Sequence, residues 1–220
     1  MSSLWYGVYS IMTTLKLDWC SFEAVKYACE HWHYSKCVPA GKLVKIGVWE
    51  DNIFIGCVIF SRGANQYLLN PYGLKQTDGC ELTRIALNNH KTPVSRILSI
   101  AIKMLKKSNP GLKLIVSYSD MDQDHYGTVY QASNWIYTGM VETNGGTPRF
   151  KIKNKVMHGR SVAAKGWKQN IDWIRKYIDN KAELVYTKGK QKYLYPLNDD
   201  IKKQILLLSK TYIKKNACVV

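Results

Sequence analysis

Apolar and polar positions along this chain follow two different periods, and the switches between them predict its elements. From residue 22 to 32, Phe22, Val25, Cys29 and Trp32 recur at spacings of three and four, which predicts an amphipathic helix. Residues 43–50 and 53–60 read as strands around Asp51-Asn52, a hairpin with weaker turn chemistry than Asn-Gly. Ser61 to Gly79 is a polar loop carrying Pro71 and Gly73, and Glu81 to Leu87 is a strand. Thr92-Pro93 supplies a cap and a first-turn proline for a helix with a buried stripe of Val94, Ile97, Leu98, Ala101 and Leu105. Lys106-Lys107 close that helix and Asn109-Pro110-Gly111 stop it. A strand over 112–118, a helix over 126–133 and a strand near 135–141 complete the series.

Beyond Asn144-Gly145-Gly146 the pattern turns basic. Residues 149–156 alternate around Phe150 and Ile152 and predict one strand; Trp167, Ile171, Ile174 and Ile178 mark a helix. Residues 183–187 and 192–196 suggest a hairpin across Lys188-Gly189-Lys190, and 199–213 is helical. The expected fold class is α+β, a mixed central sheet flanked by helices in α/β/α layers, with a basic C-terminal extension. The expected division is a core over residues 1–148 and a C-terminal part over 149–220 that completes the sheet and binds a polyanion, with a soft boundary. At 220 residues the chain can bury a substantial core.

Composition excludes some classes. The hydrophobic fraction of 46% argues against disorder. No apolar run approaches the roughly 18 residues of a membrane span, and the first residues lack a secretory pattern. The six cysteines contain no C-x-x-C pair, and several sit inside apolar patterns, as expected of reduced thiols in a cytoplasmic protein. Charge changes the picture more. The net charge is +16, and residues 149–220 hold 18 basic against five acidic side chains. A solvated basic surface is one reading. A nucleic-acid partner is the other, favoured because Trp167, Trp173, Tyr177, Tyr186, Tyr193 and Tyr195 are interleaved with the lysines and could stack on bases.

The candidate chemistry concentrates between Leu114 and Gly139. Leu114, Ile115 and Val116 form an apolar run, and three acids, two serines and a histidine then fall between Ser117 and His125. A strand ending in such a cluster presents reactive groups at the carboxyl edge of a sheet, where α/β proteins usually hold ligands. Arg84 sits mid-strand, and a buried arginine needs either an ion-pair partner or a ligand carboxylate or phosphate. Lys91, Thr92 and Ser95 surround a helix start able to hold an anion, although Ser95 in that position also reads as a local cap. His33, in His33-Tyr34-Ser35 at a helix end, is the candidate to bind a metal together with His125 or Asp120.

The order helix, hairpin, strand, helix, strand, helix, strand resembles the GNAT N-acyltransferase fold. Tyr130-Gln-Ala-Ser-Asn-Trp135 followed by Gly139 looks like that family's Tyr-x-x-x-Gly-Phe signature. The resemblance implies a general-acid role for Tyr130, beside the alternative of a tyrosine that packs its helix onto the sheet. The pyrophosphate loop departs from the family: Asn88 to Ser95 contains no glycine. A closer resemblance is to the phage Mom family of DNA-modification proteins. It is carried by Glu30-His-Trp-His-Tyr-Ser35, ELTRIAL at 81–87, Thr92-Pro93-Val94-Ser95, the run from Ser117 to Trp135 and Met157-His-Gly-Arg-Ser161. It implies an enzyme, a transferase that converts adenine in double-stranded DNA to N6-carbamoylmethyladenine and so shields phage DNA from restriction. It also implies an iron requirement. The donor is open, with acetyl-CoA or a related CoA ester among the candidates.

The residues are compatible with that chemistry. The exocyclic N6 of adenine must be extruded from the duplex and must lose a proton. Asp120 and Asp122 are the candidate acceptors. Tyr34, Tyr118 and Tyr126 are candidates to sandwich the base, and Arg149, Lys151, Lys153 and Arg160 to hold phosphates. The expected setting is the host cytoplasm, without membrane contact, with a homodimer as the candidate assembly. Two rival readings stand beside this one. A conventional GNAT acetyltransferase is disfavoured by the missing glycine loop. A non-catalytic DNA-binding protein is disfavoured by the acid cluster, because acids near phosphate cost affinity.

Overall fold

The computed structural model describes residues 13–63, 65–141, 148–186 and 188–212; nothing is described of the Arg160 side chain, or of the Asn144-Gly145-Gly146 turn expected above. Helix α1 (Phe22–Trp32) begins at Ser21, whose hydroxyl accepts the Ala24 amide, and buries Val25, Ala28 and Cys29. Those residues pack on Cys57, Ile59 and Ala86. Cys57 and Ile59 lie on strand β3 (Ile53–Ser61), which hairpins from β2 (Leu43–Glu50). The turn residues Asp51 and Asn52 both take positive φ, 50° and 65°, which Asp and Asn tolerate better than bulkier residues. Ala86 lies on β4 (Gly79–Leu87). Val58 and Phe60 alternate to the other face of β3 and are fully buried too, so this strand is covered on both faces.

The chain is α+β, with a mixed central sheet flanked by helices and a small second sheet. It divides into two compact units, Met1–Ile115 and Val116–Val220. In the first, β1 (Leu15–Trp19), β2, β3 and β4 neighbour one another in that order, all antiparallel. Helix α2 (Val94–Ser108) lies against β1 and β2. Strand β5 (Leu114–Asp120) crosses the division.

In the second unit the strand order is β5, then β10 (Lys190–Pro196), then β6 (Ile136–Val141), with β10 and β6 antiparallel. A strand from the basic C-terminal part is thus inserted between two strands of the acid-rich region. A separate sheet runs β8 (Lys155–His158), β7 (Arg149–Ile152), β9 (Glu183–Val185). Its core is Phe150, Ile152, Val162, Ile174 and Ala182, the middle pair drawn from α4 (Gly159–Ala164) and α5 (Ile171–Tyr177). Helix α3 (Thr128–Gln131) touches β6, and α6 (Asp199–Leu206) packs on β10. Among the described residues no helix is long and apolar enough to cross a membrane.

Several expectations are corrected. The single strand over 149–156 is two, because Lys153 and Asn154 take φ of 47° and 63° and the Asp179 carboxylate accepts the Lys153 amide at 2.6 Å, fixing a turn. The hairpin across Lys188-Gly189-Lys190 does not form: β9 pairs with β7, and β10 with β6. Helix α3 spans four residues rather than eight, bounded by positive φ at Gly127 and Asn134. Helix α6 stops at Leu206 and a turn over Leu207 and Leu208 follows, after which the Lys210 amide donates to the Tyr137 carbonyl at 2.9 Å. Trp167 precedes α5 rather than belonging to it. In α2 the buried stripe is Ile97, Leu98, Ala101, Ile102 and Leu105; Pro93, not Thr92, occupies the cap position.

Candidate functional site

Strand β5 delivers its acids into a loop that is pinned on several sides. Asp120 caps the turn that follows it, its Oδ1 accepting the Asp122 amide at 3.0 Å. Asp122 uses both carboxylate oxygens: Oδ2 accepts from Arg149 Nη1 at 3.1 Å and Oδ1 from the Lys188 amide at 2.8 Å. Lys188 Nζ also donates to Asp124 at 3.1 Å. That contact, with the nearby acids, holds the Lys188 ammonium above its usual pKa. The His125 amide returns to the Asp120 carbonyl at 3.2 Å. Asp122 is therefore a clamp, with both carboxylate oxygens engaged in holding the loop. Among the described residues Asp120 Oδ2 meets Arg149 Nη2, at 3.9 Å, and keeps lone pairs available on a carboxyl that is nearly buried. Arg149, expected to contact phosphate, is committed to these two acids.

A buried polar network lies along β5 and β10. Ser117 Oγ donates to the Tyr130 hydroxyl at 2.8 Å. Ser119 Oγ and the Tyr193 hydroxyl both approach Gln191 Oε1, at 3.3 and 2.5 Å, and the Tyr193 hydroxyl also reaches the Tyr126 carbonyl at 3.2 Å. Burial raises the Tyr193 pKa, so its phenol stays protonated and able to donate. The Tyr130 and Tyr193 rings stack at 4.7 Å, and Trp135 meets Tyr130 edge-on at 5.1 Å. Tyr130 is thus a packed, hydrogen-bonded residue. Gly127 makes the network possible: at φ +68° it leaves open the space a Cβ would take, 2.1 Å from the Tyr193 hydroxyl. Gln191 and Lys188 were not candidates from sequence, and Tyr193 and Ser117 were singled out for base stacking and for the polar cluster rather than for this network. The visible signal was Gln191 and Tyr193 at alternate positions, polar groups on the buried face of a strand.

The first unit holds the remaining candidates. Arg84 Nη1 donates to the Thr83 carbonyl at 2.7 Å, while its buried Nε has no hydrogen-bond partner. No acid lies within ion-pair distance of it among the described residues. Its charge acts on the Cys29 thiol, whose pKa is lowered chiefly by a hydrogen bond with Cys57 and secondarily by Arg84; Cys57 is pushed up by the same bond and by burial. His33 Nδ1 accepts the Ser35 amide at 3.1 Å and lies 2.8 Å from Ser35 Oγ. Because a backbone N–H can only donate, the ring carries its proton on Nε2. Tyr34 is exposed beside the His33 ring, with centroids 4.3 Å apart. Ser95 is half-buried in the first turn of α2.

The amides leading into α2 are already engaged. Glu50, nearly buried at the end of β2, takes the Lys91 amide on Oε2 at 2.8 Å and the Thr92 amide on Oε1 at 2.6 Å. Burial alone would raise the Glu50 pKa, but these amides, the Thr92 hydroxyl and the His90 charge outweigh it and hold it below the usual value. Lys91 Nζ extends toward Asp51, 3.9 Å away. Both amides are thus taken up by a carboxylate of the chain itself and are not open to an external anion. Nor do the described residues offer an iron site: among them no group of three or more His, Cys, Asp or Glu side chains could hold a metal ion.

The basic candidates of the second unit are divided. Lys151 pairs with Glu183 at 3.4 Å, and Lys153 is exposed in the β7–β8 turn. Tyr177 and Tyr186 are exposed, with Lys176 Nζ 5.2 Å above the Tyr177 ring, whereas Tyr193 is core and unavailable for base stacking. Tyr118 and Tyr126 are half-buried, and His125 is exposed.

Comparison with known proteins adds the family. The model of the Mom protein family matches residues 14–214, and the chain belongs to that family. A curated relative, the methylcarbamoylase Mom of Escherichia phage Mu, is 28% identical over 120 residues, 50% of this chain and 48% of that protein. The match thus spans about half the length of the relative. Among solved structures, a probable acetyltransferase from Staphylococcus epidermidis covers 84% of this chain and 100% of its own at 9% identity and a TM-score of 0.49. A Bacillus subtilis acetyltransferase in complex with CoA covers 84% and 99% at 10% identity and a TM-score of 0.43.

Proposed function

We propose that this chain is a DNA-modifying transferase that places a carbamoylmethyl group on N6 of adenine in double-stranded DNA, a modification that protects the DNA from restriction. The observation that carries this reading is the Asp120 carboxylate, at the end of β5 in a chain of the Mom family. One of its oxygens is occupied in holding the loop and the other is available. N6 forms a bond to the methylene carbon of the donor, the donor's leaving group departs with the electron pair, and N6 loses a proton. Asp120 takes that proton. Asp122 and Arg149 position Asp120 rather than react, and Arg84 is free of protein acids to bind an anionic group of substrate. Lys153, Arg160 and the exposed Tyr177 and Tyr186 contribute to DNA binding, with Tyr34, Tyr118 and Tyr126 the candidates to stack on the extruded base.

The test is co-expression with a plasmid, digestion of the DNA to nucleosides and mass spectrometry. Deoxyadenosine carrying a carbamoylmethyl group is expected. Unmodified adenine from well-expressed, soluble protein overturns the reading, and an N-acetyl product would point to conventional acetyl transfer.

A further inference from the structure

We infer that Glu50 is a donor-specificity determinant that closes the entrance of α2 against the diphosphate of coenzyme A esters. The inference rests on the group-transfer reading above and names a class of donor that the chain rejects. A phosphate is held ahead of a helix by backbone N–H groups that converge on it, usually with glycines that let the anion approach. Here the converging amides are those of Lys91 and Thr92, and both already end on one carboxylate, at 2.8 and 2.6 Å. The next residue, Pro93, has no N–H to offer.

The other groups at this entrance reinforce the closure. Asn88, Asn89, His90 and Lys91 place side chains where a phosphate loop would carry glycine, and Asn89 takes φ 48° in doing so. The Asn88 amide is spent on the Ile55 carbonyl at 2.9 Å, and His90 Nδ1 lies 3.0 Å from the Thr92 carbonyl. Asp51 stands 3.9 Å from the Lys91 ammonium and offsets its charge, so less of that cation is left for an incoming anion. Glu50 and Thr92 are 5% and 7% exposed, so an incoming diphosphate must expel a buried carboxylate that already has both partners. Glu50 supplies from within the chain the negative charge that the helix entrance favours. A donor for this protein is therefore activated and held by something other than a diphosphate on α2.

The test uses the full chain and coenzyme A itself, and is independent of whether DNA becomes modified. Calorimetric titration of the wild-type protein with coenzyme A should give no saturable binding at millimolar ligand, and the Lys91 and Thr92 amide resonances should not move. Saturable binding by the wild type with shifts at those two amides overturns the inference. In Glu50→Ala the two amides are released, and coenzyme A affinity should rise by at least roughly tenfold. A folded Glu50→Ala protein with no such gain also overturns it, and if that variant fails to fold the wild-type titration decides alone.

Discussion

The Asp122 carboxylate and the Arg149 guanidinium, 27 residues apart in sequence, meet at 3.1 Å and tie the loop after β5 to the start of β7. Both side chains are about one-fifth exposed, so solvent screens the pair only in part. Arg149→Ala should therefore lower stability by about 1.5–3 kcal/mol, since it strips a charge-assisted hydrogen bond from a partly buried acid. If Arg149 served DNA phosphates, its removal would also reduce the slope of log affinity against log salt by about one. The expected result is a lower urea midpoint with an unchanged slope, read by denaturation and by DNA binding across a salt series.

Asp120 separates the two jobs a carboxylate can do. Its Oδ1 caps the following turn, a contact that an asparagine oxygen can also make. Asp120→Asn should keep the loop and the melting temperature close to wild type while removing the proton acceptor. Modification rates should fall by about 10²–10⁴-fold, the usual worth of a positioned base. Single-turnover assays on a defined duplex, with melting curves alongside, check both halves.

Local features were legible in the sequence and nonlocal ones were not. The Asp51-Asn52 turn and the Asn109-Pro110-Gly111 stop depend on residues within a few positions and are found, and the α1 stripe is found in its centre, at Val25 and Cys29, with Ala28 joining it, Trp32 partly buried and Phe22 exposed instead of buried. The insertion of β10 between β5 and β6 depends on pairing across more than 50 residues, and the basic, aromatic pattern of 183–196 reads equally well as a hairpin. Asp120 stood out because its neighbours are polar. Glu50 did not, because its partners lie 41 and 42 residues away and an acid at a strand end is unremarkable in itself.

Gly127 should be intolerant of any side chain. Alanine there must adopt φ +68° and meet the Tyr193 ring and hydroxyl, at 2.5 Å and closer. The Tyr193 ring is fully buried and cannot swing aside. Gly127→Ala should cost about 2–4 kcal/mol, the sum of left-handed strain and overpacking. Tyr193→Phe, which loses the hydroxyl's bonds to Gln191 and Tyr126 but keeps the ring, should cost about 1 kcal/mol. Chemical denaturation of the two variants tests that ordering.

Arg84 makes the opposite prediction about stability. Among the described residues its buried Nε is unpartnered and no acid pairs with it, so the fold gains little from its charge. Arg84→Met keeps most of the packing volume and should leave stability unchanged within about 1 kcal/mol, or raise it. DNA modification should nevertheless be lost. A large fall in stability would instead reveal a structural role for the guanidinium.

Glu50 predicts a dependence on pH whose sign follows from its environment. Burial raises its pKa, but the amides of Lys91 and Thr92, the Thr92 hydroxyl and the His90 charge lower it more, so the folded value lies below the ordinary 4.5. A carboxyl with a depressed pKa contributes stability that is fully present above its unfolded value and is lost as pH falls through the folded one. Glu50→Gln removes the charge while keeping the shape, and one of its two amide contacts becomes N–H facing N–H. At neutral pH the variant should be less stable than wild type by about 1–3 kcal/mol. The gap should hold down to about pH 4.5 and narrow below it, as acid protonates the wild-type carboxyl. Urea midpoints of both proteins measured from neutral pH down through this window check the prediction, and a gap that widened in acid would show that Glu50 is not ionised in the fold.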